Sequence, residues 1–282
     1  MAHRRRSADG LTVALISDVF FGAGREARLR ARLGDAKAAG AELALLPEIP
    51  LDPWAPATRR ARDVDAEPPG GPRHVMLSAA ARDVGLGVVG GAIVRDAVDG
   101  RRYSTALAFD ARGIHVSSYA KLHLPQEPGF WETSHYVPGT RPPEVVEAFG
   151  LPIGLQICSD VNRPEGSHLL GALGAEAILV PRATEADTYE SWRVVFRANA
   201  LTSAAYVLSV NRPRPEGGVP LGGPSIAVAP DGIVLVETTD PLAVVRLERS
   251  AIVKARLDYP GYLPIRARLY AAAWDSIATR DG

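Results

Sequence analysis

Three polar residues stand at the ends of short apolar runs. Glu48 follows Leu43-Ala44-Leu45-Leu46-Pro47, Lys121 follows Ser117-Ser118-Tyr119-Ala120, and Cys158 follows Ile153-Gly154-Leu155-Gln156-Ile157. Strand ends are where α/β proteins place reactive groups. A carboxylate, an ammonium and a thiol brought together there suit the cleavage of an amide. The thiol becomes a strong nucleophile once deprotonated, and a neighbouring carboxylate can take its proton. The ammonium favours the thiolate and, with the backbone N–H of Ser159, can stabilise the oxyanion of a tetrahedral intermediate. A Cys–His arrangement, with His123 or His168 as base, is the alternative, and spacing alone leaves it open.

Taken singly, each residue has an ordinary explanation. Cys158 is the only cysteine, and free cysteines are mostly small buried hydrophobes. Glu48, Lys121 and Glu132 read alone are solvated surface charges, and Asp160 is a cap or turn former ahead of Pro164. One cysteine excludes an intrachain disulfide and an all-cysteine metal site, and it fits a reducing, cytoplasmic compartment. The histidines contain no H-E-x-x-H, residues 21–27 lack the third glycine of G-x-G-x-x-G, and no P-loop or G-x-S-x-G elbow occurs. A metalloprotease is therefore without support. Lys plus Arg and Asp plus Glu balance at 32 each, which argues against nucleic-acid and anionic-membrane partners. No apolar run reaches the roughly 18 residues of a membrane span. A small molecule is the expected partner.

The elements that must position these groups follow from periodicity. Strands are expected over residues 11–17, 42–47, 86–94, 151–158, 177–181, 206–210, 225–229, 233–237 and 244–247, with a hairpin formed by 103–110 and 114–119. Helices are expected over 24–39, where Leu29, Leu33 and Ala36 share a face, and over 75–84, 165–174 and 189–203. Residues 55–73 read as a long loop, and 122–143 as an aperiodic excursion of the kind that carries function. Alternating elements predict an α/β fold with helices on both sheet faces. The 282 residues, 46% of them hydrophobic, suffice for one substantial core. The expected organisation is a disordered basic leader (1–10), one domain (11–258) and an extended tail (259–282) available for oligomer contacts.

The segments around the three polar residues resemble the three signature blocks of the nitrilase, or carbon–nitrogen hydrolase, superfamily. Leu45-Leu46-Pro47-Glu48 is similar to the glutamate block. Tyr119-Ala120-Lys121-Leu122-His123-Leu124-Pro125 is similar to the lysine block, and Gln156-Ile157-Cys158-Ser159-Asp160 with Arg163-Pro164-Glu165 to the nucleophile block. Glu132 ahead of Tyr136-Val137-Pro138-Gly139 stands where the family places a second, supporting glutamate. Arg197-Ala198-Asn199-Ala200 with Val210-Asn211-Arg212, and Gly223-Pro224-Ser225 with Pro230-Asp231-Gly232, resemble its later blocks.

The resemblance implies an α-β-β-α sandwich that pairs into a homodimer or higher homo-oligomer. It also implies a ping-pong mechanism in which Cys158 forms a thioester, Glu48 manages protons, and Lys121 and Glu132 complete the site, with no metal or organic cofactor. Two positions depart from the pattern: Ala120 replaces a basic residue, and Ser159 replaces the aromatic common after the nucleophile. Cys-Ser-Asp, in place of the Cys-Trp-Glu of true nitrilases, favours an amidase or N-carbamoyl hydrolase. An acyltransferase using the same thioester, a nitrile hydrolase and a non-catalytic interaction protein are the alternatives. For substrate contacts, Arg182 after the strand 177–181 offers a donor fork for a carboxylate, unless it pairs with Glu185 or Asp187. Arg163 is a second candidate, and Trp54 and Trp131 could line the pocket.

Overall fold

The computed structural model describes residues 9–278, so most of the basic leader and the last four residues of the tail lie outside the described residues. In chain order the strands are β1 (Gly10–Leu15), β2 (Leu43–Leu45), β3 (Ala66–Glu67), β4 (Gly87–Arg95), β5 (Arg102–Phe109), β6 (His115–Ala120), β7 (Gln126–Glu127), β8 (Phe130–Trp131), β9 (Val145–Val146), β10 (Ile153–Leu155), β11 (Ala177–Pro181), β12 (Tyr206–Val210), β13 (Ser225–Val228), β14 (Val234–Thr238) and β15 (Ala243–Glu248). The helices are α1 (Arg25–Ala38), α2 (Pro72–Val84), α3 (Pro164–Ala172), α4 (Tyr189–Ser203), α5 (Arg249–Leu257) and α6 (Ala267–Ala278). One large sheet runs β15-β1-β2-β4-β5-β6, with β3 on β4; the other runs β14-β13-β12-β11-β10-β9, and β7 pairs with β8 in a separate hairpin.

Successive strand residues point to opposite faces, and in the central strands of each sheet both faces are apolar. Val13, Leu15, Leu43, Leu45 and Val89 of the first sheet meet Ile153, Leu155, Leu179 and Leu208 of the second in the central core. The alternate residues Ala14, Ile16, Ala44, Leu46 and Val88 pack outward against Leu29, Leu33 and Ala36 of α1 and Leu77 and Ala80 of α2. On the other side Ile178, Val180, Val207 and Ile226 pack against Leu170 of α3 and Phe196 and Ala200 of α4. The result is the expected α-β-β-α sandwich. β15 returns to pair antiparallel with β1, joining the two ends of the fold within one sheet.

Several expected boundaries shift for identifiable reasons. β1 opens at Gly10, so that residue belongs to the sheet and not to a leader. The strand expected over 151–158 narrows to β10, because the chain turns at Cys158 into a tight helical turn. The loop 55–73 carries β3 and the first residues of α2. Helix α5, where Ile252 and Ala255 are buried, has no counterpart among the expected elements.

The tail beyond 259 is not extended. Residues 267–278 form α6, as three consecutive alanines and the spacing of Tyr270, Trp274 and Ile277 allow. Those apolar side chains remain exposed on the chain itself. No helix among the described residues is long and apolar enough to cross a membrane.

Close approach of α3 and α4 depends on Gly171, where an added Cβ would meet the Ser203 carbonyl oxygen at 2.6 Å. Gly171→Ala is expected to lower unfolding free energy by about 1–3 kcal/mol through overpacking. Urea denaturation measures this, and an unchanged midpoint would contradict the packing described.

Candidate active site

Glu48, Lys121 and Cys158 converge because their strands end on the same side of the sandwich. Beyond β2, the Glu48 N–H crosses to the other sheet and donates to the Arg182 carbonyl at 3.3 Å. Lys121 closes β6 by donating its N–H to the Ser104 carbonyl at 2.9 Å, while its own carbonyl accepts from Gly139 at 2.8 Å. The Lys121 ammonium then lies between two carboxylates, 3.0 Å from Glu48 Oε1 and 2.7 Å from Glu132 Oε1. All three side chains are buried. Ser104 Oγ donates to Glu48 Oε1 at 3.2 Å, whereas Glu48 Oε2 and Glu132 Oε2 are buried without a hydrogen-bond partner.

Burial would pull the Lys121 ammonium down, but Glu132 and Glu48 overcome it and hold the group above its ordinary range. For Glu132, burial comes first and Glu48 adds repulsion. Against the attraction of Lys121, the carboxyl is pushed up to about 8. The Cys158 thiol is pushed up to about 12, first by burial; Lys121 opposes this and the two carboxylates add to it. At rest the site therefore holds a neutral thiol beside a cation, and Glu48 Oε2 is left without a hydrogen-bond partner. The buried Tyr136 hydroxyl is likewise held well above its ordinary range by burial and by Glu132.

Cys158 sits at φ +46°, and Ile49, next to Glu48, at φ +48°. Such left-handed conformations cost roughly 1–3 kcal/mol each in non-glycine residues and persist only where neighbours over-determine them. Two buried residues do so. Asp160 Oδ2 accepts the Tyr119 hydroxyl at 2.9 Å and the Ile157 N–H at 3.1 Å. Its Oδ1 accepts the N–H groups of Leu122 and His123 at 3.1 and 2.9 Å and lies 3.0 Å from His123 Nδ1. Asp160 thus ties the lysine strand to the nucleophile turn. Arg212 donates to the carbonyls of Glu48, Ile49 and Asp52 at 2.8, 2.7 and 2.8 Å, and Glu216 holds its guanidinium at 2.6 Å. The turn reading of Asp160 was legible in sequence, but its second grip and the role of Arg212 were not.

The other expected site residues divide. Ser159 directly follows Cys158, and its hydroxyl donates to the His123 carbonyl at 2.5 Å. Trp54 is buried behind the Glu48 turn, with its indole N–H on the Gly129 carbonyl at 2.9 Å. Trp131 is half-buried, and the Arg59 guanidinium covers its ring at 3.9 Å. Arg182 is fully enclosed. Its donors go to Ser209 Oγ, Thr184 Oγ1 and the Pro224 carbonyl at 3.1, 2.5 and 2.5 Å. This corrects both the carboxylate fork open to a pocket and the pairing with Glu185 or Asp187. Arg163 is exposed at the start of α3. His168 bonds Thr202 at 2.8 Å on the surface, and His123 is engaged with Asp160. The cavity of about 550 Å³ lined by His74, Tyr103 and His115 includes none of Glu48, Lys121, Glu132 or Cys158. Among the described residues no group of three or more His, Cys, Asp or Glu is placed to hold a metal ion.

The profile of the family described as carbon-nitrogen hydrolase matches residues 12–251. The chloroplastic omega-amidase of Arabidopsis thaliana is 30% identical over 234 residues, covering 80% of this chain and 61% of that protein. The chain thus spans less than two thirds of that relative's length. The carbon-nitrogen hydrolase of Helicobacter pylori G27 superposes with a TM-score of 0.81 at 17% identity, covering 94% of this chain and 98% of that one. A doubly substituted amidase from Nesterenkonia sp. AN1, in complex with acrylamide, superposes with a TM-score of 0.75 at 25% identity, over 96% and 99% of the two chains.

The raised Glu132 has a measurable consequence. From its ordinary 4.5 up to about 8, the folded state binds a proton that the unfolded state releases. Its contribution to stability is therefore complete below 4.5 and is lost as pH rises through 8. Relative to Glu132→Gln, which does not titrate, the parent is expected to lose stability across that window by about 1 kcal/mol per pH unit. Denaturation of both proteins from pH 5 to pH 8 measures this difference, and parallel curves would contradict it.

Proposed function

From the premise that the chain belongs to the carbon–nitrogen hydrolase family, we propose that it hydrolyses the carbon–nitrogen bond of a small linear amide or N-carbamoyl compound through a thioester on Cys158. One observation carries the reading. Glu48 presents one oxygen to Lys121 and keeps the other free, in a buried space shared with a thiol.

Glu48 Oε2 takes the thiol proton as Sγ bonds to the substrate carbonyl carbon. The carbonyl electron pair moves to oxygen, where the third N–H of Lys121 and the Ser159 backbone N–H stabilise it. Glu48 returns the proton to the leaving nitrogen, the C–N bond breaks, and ammonia or an amine departs from the thioester. Water then attacks as Glu48 takes one of its protons. The C–S bond breaks, the proton returns to Sγ, and a carboxylic or carbamic acid leaves. Glu132 keeps Lys121 oriented throughout.

The small Ser159 beside the nucleophile favours amide over nitrile substrates, and the omega-amidase and acrylamide-bound amidase relatives support the same class. The protein is read as a homo-oligomer, with the exposed apolar residues of α6 available for the contact.

Ammonia release across a panel of amides, N-carbamoyl compounds and nitriles tests the proposal. Turnover of small amides or carbamoyl compounds is expected, and turnover confined to nitriles would overturn it. Cys158→Ala should abolish turnover while the fold is retained. Lys121→Met should lower kcat by about 100-fold or more if its charge acts on the developing oxyanion. A rise in KM with unchanged kcat would assign Lys121 to ground-state binding instead.

A further inference from the structure

Among the described residues two arginines, Arg182 and Arg212, are fully enclosed by the fold, and they differ in their counter-charge. Arg212 is paired with Glu216. Arg182 has no carboxylate within ion-pairing distance among the described residues; its hydrogen bonds all end on neutral oxygens. The rings of Phe196 and Tyr189, 5.4 and 5.8 Å from its guanidinium carbon, offset part of the cost by cation–π attraction. An enclosed charge without a partner is otherwise expensive. Burial accordingly pulls this guanidinium down to about 10, and the opposing attraction comes first from Cys158 and then from Tyr189.

The backbone of the same segment lies between the base and the nucleophile. The Arg182 carbonyl accepts the Glu48 N–H at 3.3 Å. The Ala183 carbonyl accepts the Cys158 thiol at 3.4 Å. The Thr184 N–H donates to Asn211 Oδ1 at 3.0 Å. The guanidinium holds this segment from behind, through Ser209 on β12, its own neighbour Thr184, and Pro224 ahead of β13.

We propose that Arg182 is a positioning residue that also acts electrostatically. It anchors the segment that seats Glu48 and Cys158, and its unpaired buried charge favours the thiolate over the thiol. The site then has two buried cations, Lys121 on Glu48 and Arg182 one residue from the carbonyl that accepts the thiol. The thiolate is the anion that Arg182 lacks at rest. The titratable groups that act on the thiol are Lys121 from the end of β6, Glu48 from beyond β2 and Glu132 from the excursion, with Tyr136 beside them, while Arg182 at the end of β11 is coupled to it from its own side. On the far side of Arg182, Tyr189 faces Glu237 of β14.

The kinetic part of this inference rests on Cys158 as the nucleophile; the ionisation part does not, since it is read on the thiol itself. Cys158 is the only cysteine, so alkylation by iodoacetamide across pH reports this one group. Arg182→Gln should move the alkylation profile to higher pH and slow the reaction near neutrality by about threefold or more. Arg182→Lys, which keeps the charge without the fork, should retain the parent profile but turn over amides with lower kcat and little change in KM. A Gln profile superimposed on the parent's would overturn the proposal.

If Arg182→Gln does not fold, Thr184→Val removes one acceptor of the guanidinium and leaves the backbone link intact. A fall in kcat at constant KM then supports the proposal, and a lower Tm with unchanged kcat overturns it. If the parent releases ammonia from no member of the substrate panel, the hydrolase reading fails while the alkylation comparison still decides the role of Arg182.

Discussion

Lys121, Glu48 and Glu132 share a space from which water is excluded, and most of what surrounds them follows from that. Each ion taken out of water costs several kcal/mol after relaxation, and the charges offset this only if their geometry is held closely. The ammonium meets one oxygen of each carboxylate at 3.0 and 2.7 Å. Both remaining oxygens are unpaired. Burial first, and then the trio's excess of negative charge, drives Glu132 towards its protonated form and holds the thiol neutral.

Holding such a group requires support that does not itself react. Strand ends supply the coarse placement, since β2, β6 and β10 all finish at the same end of the sandwich. Side chains that reach backbone supply the fine placement. Asp160 gathers donors from both the lysine strand and the nucleophile turn, and Arg212 gathers three consecutive or near-consecutive carbonyls at the Glu48 turn. The left-handed backbone at Ile49 and Cys158 is the cost of aiming the adjacent carboxylate and the thiol into one volume, and these anchors offset it.

How much of this was legible in the sequence depended on how local each signal was. Helix α4 and strands β11 and β12 were readable from apolar periodicity between turn residues, and their bounds agree with the structure. The α-β-β-α layering came from the resemblance, and continuous apolar strands buried on both faces explain it. Helix α6 is masked in the sequence by the prolines at 260 and 264, which give the start of the tail the character of a coil and hide the alanine-rich segment behind it. Arg182 is misread for a different reason. A strand-end arginine has the same sequence signature whether it faces solvent, a ligand or the underside of a helix, and only the packing of α4 over β11 decides. The reach of Arg212 to the Glu48 carbonyl spans 164 positions, and a carbonyl leaves no trace in residue type.

The central claim is that the carboxylate–ammonium pair delivers the thiol to a carbonyl carbon and that the acyl group then resides on sulfur. Intact-mass measurement of protein quenched in acid during turnover of a small amide tests it most directly. The account predicts an added mass equal to the acyl group, located on the peptide containing Cys158 and longer-lived in a Glu48→Gln variant acylated with an activated ester than in the parent. Turnover of the amide with no adduct on that peptide, under conditions where an activated ester of the same acid also leaves none, would contradict it.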